Sequence, residues 1–117
     1  MTDHPITITP NPHRIRVMLG GTIVAETTRS LTLREGSLPP VQYIPREDAA
    51  MDLFAPTEHR THCPHKGDAS YYSLTAGGVE QANAVWSYET PFPAVAAIKG
   101  YLAFYPNKVD AIEEFRD

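Results

Sequence analysis

The chain has 117 residues and a formal charge of −4, with 10 Lys and Arg against 14 Asp and Glu. That length holds one hydrophobic core, and that charge gives no general attraction to polyanions, which excludes bulk nucleic-acid binding through phosphate neutralisation. A hydrophobic fraction of 42% with 21% charged residues excludes a disordered chain, no apolar run approaches the ~20 residues of a bilayer span, and the single cysteine, Cys63, excludes an internal disulfide and a four-cysteine zinc site.

In chain order, residues 1–13 read as a flexible arm and residues 14–117 as one domain. Met1 to Pro12 lacks the basic-then-apolar layout of a signal peptide, so the expected compartment is the cytoplasm. From Arg14, Ile15, Val17 and Leu19 alternate up to Gly20-Gly21, and Thr22 to Thr27 resumes with β-branched residues, which predicts a hairpin with a glycine turn. Leu31 and Leu33 alternate again before Gly36-Ser37, and Val41 to Ile44 form another extended run after Pro39-Pro40. Pro45-Arg46-Glu47-Asp48 sets a proline and two acids where a helix begins, and Ala50, Leu53 and Phe54 supply its apolar stripe, predicting a short helix that ends before Pro56. Ala69 to Leu74 and Asn83 to Tyr88 predict a second hairpin through Gly77-Gly78, with Ala84, Trp86 and Tyr88 on one face and Trp86 in the core. Ala94 to Ile98 reads as one helical turn, and Val109 to Phe115 fits strand or helix. The fold class is therefore mainly β, with one or two short helices.

The stretch between Tyr43 and Tyr72 concentrates chemistry: His59, His62 and His65, the only cysteine, the cations Arg46, Arg60 and Lys66, and carboxylates including Glu47, Asp48 and Asp68. Such density belongs to a site or to a long solvated loop. Positive neighbours stabilise a thiolate at Cys63, making it a candidate nucleophile, the alternative being an inert buried thiol. Convergence of Arg46, Arg60 and Lys66 would make an anion site, with Lys66-Gly67 offering a cation beside a backbone free to approach a ligand. Asp68 is a candidate acid, base or cation-orienting group, the alternative being a structural ion pair. The His and Cys spacing matches no strong zinc pattern, so no metal ligands are assigned.

Three runs, Pro45-Arg46-Glu47-Asp48, Thr61-His62-Cys63-Pro64-His65-Lys66-Gly67-Asp68-Ala69-Ser70-Tyr71-Tyr72 and Ala84-Val85-Trp86-Ser87-Tyr88-Glu89, resemble the bacterial family catalogued as domain of unknown function 427. The resemblance spans Arg14 to Ile112. It implies a compact, mainly antiparallel β fold similar to the small β-tent domains, with motif positions at Arg46, Glu47, Asp48, Thr61, Cys63, Pro64, Lys66, Gly67, Tyr72, Trp86 and Glu89. His65 departs from the aromatic residue usual at its position. A nucleotidyltransferase label sometimes attached to the family would call for carboxylates at alternate positions, whereas Glu47 and Asp48 are adjacent.

The leading expectation is a pocket for a small anionic or phosphorylated ligand, with catalysis left open. In it Arg46 and Lys66 bind the anion, Glu47, Thr61 and Trp86 contribute to the ligand site, Tyr72 covers the ligand, and Cys63 and Asp68 are the catalytic candidates. The alternatives are a non-catalytic interaction or scaffold domain and, after it, a metal-dependent nucleotidyl or phosphoryl transferase using Glu47, Asp48 and Asp68. Cofactor identity and homo-oligomerisation are left open, and neither bulk nucleic acid nor membrane is an expected partner.

Overall fold

Two Gly-Gly turns organise the chain. In the computed structural model, which describes residues 5–116, Gly20 and Gly21 have φ of 59° and 75°, and Gly77 and Gly78 have φ of 56° and 80°. Consecutive positive φ values make the tight primed turns whose twist matches that of paired strands. The first joins β2 (Arg14–Leu19) to β3 (Thr22–Thr27), and the second joins β7 (Gly67–Ala76) to β8 (Val79–Tyr88), as the sequence predicts. The two turns pack backbone to backbone: a Cβ on Gly77 would lie 1.9 Å from the Gly20 carbonyl oxygen.

The remaining strands are β1 (Ile6–Asn11), β4 (Ser30–Glu35), β5 (Val41–Tyr43), β6 (Phe54–Cys63), β9 (Ala103–Phe104) and β10 (Ala111–Phe115). Strand accounts for 60% and helix for 13% of the structure, and all pairing between strands is antiparallel. Three sheets result, ordered β1-β4-β5, β10-β2-β3 and β6-β7-β8-β9. A bridge between Ile44 and Leu102, with reciprocal 2.8 Å backbone bonds, ties the end of β5 to the segment entering β9.

The largest sheet carries a core cluster on each face. Along β7 and β8, Tyr72, Leu74 and Val85 join Ile15, Val17, Leu19, Val24 and Phe104, while Tyr71, Trp86 and Tyr88 join Leu33, Tyr43, Val95 and Ile98. Neighbouring residues on a strand point to opposite faces, so Tyr71 and Tyr72 serve different clusters.

Four expectations change. Ile6–Asn11 is not part of an arm: it is an edge strand paired with β4, and Pro10 is tolerated there because an edge strand can leave one side unpaired. Residues 1–4 of that arm lie outside the described residues. The helix expected before Pro56 is two 3-10 turns, Arg46–Asp48 and Met51–Leu53, separated by extended Ala49. Ala49 bridges to Ala25, and the Ala50 N–H donates to the Val24 carbonyl at 2.9 Å, so pairing with β3 wins over a continuous helix. The polar run after Pro56 is mostly β6, an edge strand exposed along most of its length. Trp86 is half-buried at a cavity wall, where the sequence pattern places it in the core. The ambiguous C-terminal segment is strand, paired with β2. No helix among the described residues is long and apolar enough to cross a membrane.

Candidate functional site

Arg46 and Lys66 lie on opposite faces of the largest sheet. Arg46 leaves its 3-10 turn and reaches the Tyr72 face: Nε donates to the Gly100 carbonyl at 2.8 Å, Nη1 to the Tyr72 hydroxyl at 2.7 Å and Nη2 to Ser87 Oγ at 3.3 Å. The carboxylate of Glu89 completes the set by pairing with Nη2. Four of the five guanidinium N–H groups are thus engaged, and the side chain staples β7, β8 and the turn before β9 together.

Lys66 serves the Tyr71 face. The turn after Cys63, closed by Lys66 N–H donating to the Cys63 carbonyl at 3.2 Å, sends its side chain inward, where Nζ donates to Glu35 at 2.7 Å. The two side chains are 11% and 13% exposed, so this pair is largely withdrawn from water. It forms one wall of a cavity of about 210 Å³ lined also by Tyr43, Tyr71, Trp86, Tyr88 and Tyr105. Trp86 Nε1 donates to the Tyr43 hydroxyl at 3.2 Å, which leaves the Tyr43 proton available to another acceptor. The hydroxyls of Thr61, Tyr71 and Tyr105 form a chain at 2.9 and 3.2 Å.

Cys63 is half-buried against this aromatic cluster, close enough to Lys66, Tyr43 and Tyr88 to couple to them electrostatically. His62 and Asp68 pair with each other: His62 Nδ1 lies 2.7 Å from Asp68, its cross-strand partner, and both side chains are open to solvent. Glu47 is exposed, and Asp48 is held by the Thr27 hydroxyl at 2.6 Å and Arg29 at 3.2 Å. The three acids proposed for a metal-dependent transferase therefore face different neighbours. Among the described residues, no group of three or more His, Cys, Asp and Glu can hold a metal ion.

The expected site residues thus divide. Lys66, Trp86, Thr61 and Cys63 gather at or beside the aromatic cavity, while Arg46, Tyr72 and Glu89 form the staple on the other face. Sequence reasoning missed Glu35, Tyr88 and Tyr105. Glu35 carried a signal, because Leu31, Leu33 and Glu35 share one face of a strand, and a carboxylate in an inward-facing series needs a cation.

Burial shifts the cavity's titrations. It pushes the Tyr43 phenol up, against the hydrogen bond from Trp86. It also raises Tyr88, with Cys63 adding to the effect, and raises Tyr105 to about 12 with help from the Tyr71 bond. At Lys66 burial pulls downward, but the Glu35 hydrogen bond and its electrostatic coupling to Cys63, Glu35 and Tyr43 outweigh it, and the net shift is upward. Because the folded state holds these protons more tightly than the unfolded chain, the stability they contribute is complete below pH about 10 and is lost as pH rises beyond it. Denaturant midpoints should therefore fall steadily above pH about 10, and phenolate absorbance in the native state should lag behind that of the unfolded chain. Coincident phenolate titrations in the two states would contradict the burial of these rings.

The fold and site define a mainly antiparallel β domain with an aromatic cleft braced by a buried ion pair. The chain belongs to the family described as Domain of unknown function (DUF427), whose model, labelled NTP_transf_9, matches residues 7–114. Comparison with curated proteins gave no match.

Proposed function

We propose that this domain binds a small neutral molecule in the aromatic cleft, through a head group that both donates and accepts hydrogen bonds. The observation that carries this reading is the Lys66–Glu35 pair in the cavity wall. An anion approaching Lys66 would meet the Glu35 carboxylate 2.7 Å from the ammonium, and a cation approaching Glu35 would meet Lys66. An amide suits both, its carbonyl accepting from Nζ and its N–H donating to the carboxylate. The spare Tyr43 proton offers a further donor, and the rings provide flat apolar walls. This revises the anionic ligand expected from the sequence, for which Arg46 and Lys66 would have to meet.

The test uses benzamide, benzoate and benzylamine, near-isosteres of different charge, read by the fluorescence of the single tryptophan, Trp86. Benzamide should bind best, and Tyr43→Phe should weaken it about two- to tenfold, the worth of one hydrogen bond. Preference for benzoate would restore the anionic reading.

A second reading, a scaffold domain without ligand, is favoured by the internal pairing of both Arg46 and Lys66. It predicts that none of the three probes binds. Nucleotidyl or phosphoryl transfer draws no support from Glu47, Asp48 and Asp68, which have separate surroundings.

A further inference from the structure

A second cavity of about 590 Å³ adjoins the aromatic cleft and shares Leu38, Pro39, Val41 and Trp86 with it. Its volume falls in the range of roughly 300–1,000 Å³ that takes small organic ligands. Val17, Ile44, Phe104 and Ile112 form its far wall, and the one side chain in its lining that is not apolar is Gln42. The Gln42 amide oxygen already accepts from Asn11, Ser30 and Thr32 at 3.0–3.2 Å, which leaves only its NH2 to meet a guest. Apart from that one amide the second cavity offers a polar group no side-chain partner. The two chambers differ in kind: one ends at a buried ion pair and tyrosine hydroxyls, the other is a hydrocarbon sleeve.

We infer that the ligand is amphipathic, with a neutral donor-acceptor head at Lys66, Glu35 and Tyr43 and an alkyl or similar apolar tail running past Trp86 into the sleeve. This rests on the cleft reading above and adds the tail to it. The head is fixed by charge complementarity to a neutral pair, and the tail by the wall of Leu38, Pro39, Val41 and Trp86 that the two chambers share. Hydrocarbon in the sleeve would cover Leu38, a large apolar side chain that is 57% exposed.

Chain length supplies the test. Binding of butanamide, hexanamide and octanamide to the full chain is followed by Trp86 fluorescence, with benzamide as the cleft-only control. Affinity should rise about fourfold per added methylene until the sleeve is filled, as expected for burial of CH₂ groups. Ile112→Phe, which narrows the sleeve, should flatten the rise beyond butanamide and leave benzamide binding unchanged. Leu38→Ser, at a position 57% exposed and shared by both chambers, should also reduce the gain per methylene. Benzamide binding with an affinity for alkanamides independent of length would overturn the tail while sparing the cleft. Failure of benzamide and every alkanamide alike would overturn both. A concentration-dependent dimer of the wild type that Ile112→Phe dissociates would assign the sleeve to a second copy of the chain, and would also overturn the inference.

Discussion

Replacing Lys66 by Ala should lower stability by about 3 kcal/mol, because it leaves the Glu35 carboxylate buried without its counter-charge. For a domain of this size that corresponds to a fall of roughly 12 °C in melting temperature. Most of the loss comes from the abandoned carboxylate and not from the intrinsic worth of the pair. Glu35→Leu combined with Lys66→Met should therefore recover most of it, since replacing both charges by apolar groups removes the desolvation cost as well as the attraction. A double-mutant cycle on thermal or urea unfolding measures this directly. Additive single effects, or a Lys66→Ala variant as stable as the wild type, would mean that the pair does not brace the first sheet against the turn after Cys63.

The second large effect lies far from the cleft. Gly77→Ala should cost about 4 kcal/mol, the sum of forcing Ala into left-handed backbone and driving its methyl into the Gly20 carbonyl. Gly78→Ala is the internal control. Its φ of +80° carries the same conformational penalty, but no atom lies within 4 Å of the added carbon, so about 1 kcal/mol is expected. Chemical denaturation of the two variants separates the contributions. Equal losses would show that the two hairpin turns do not touch and that turn conformation alone sets the requirement for glycine.

Both hairpins were legible in the sequence because their determinants are local. Gly-Gly supplies the positive φ values, and alternation such as Ile15, Val17 and Leu19 assigns the buried face. The stretch from Pro45 to Cys63 was not. Its first half has the proline, acids and apolar spacing of a helix start, yet the partner that interrupts it, β3, lies over twenty residues earlier. Its second half has no period-2 pattern, because β6 is an edge strand with most positions in water and no buried face to mark it.

The candidate site divides in the same way. Cys63, Lys66, Thr61 and Trp86, all singled out from the sequence, lie at or beside the cleft, and the single cysteine by itself excluded a zinc knuckle. The pairing within the site was not legible in the sequence, since a cation's partner depends on which strands meet in space. The end of β4 delivers Glu35 to Lys66, and the end of β8 holds Glu89 against Arg46. From composition, spacing and glycine placement the sequence by itself determined a mainly β domain, its two tight hairpins and the run of residues around Cys63. Only the tertiary structure decided that Arg46 and Lys66 lie on opposite faces of one sheet, because a pleated strand turns neighbours such as Tyr71 and Tyr72 in opposite directions, Arg46 bonding Tyr72 on one face while Glu35 holds Lys66 beside Tyr71 and Tyr88 on the other.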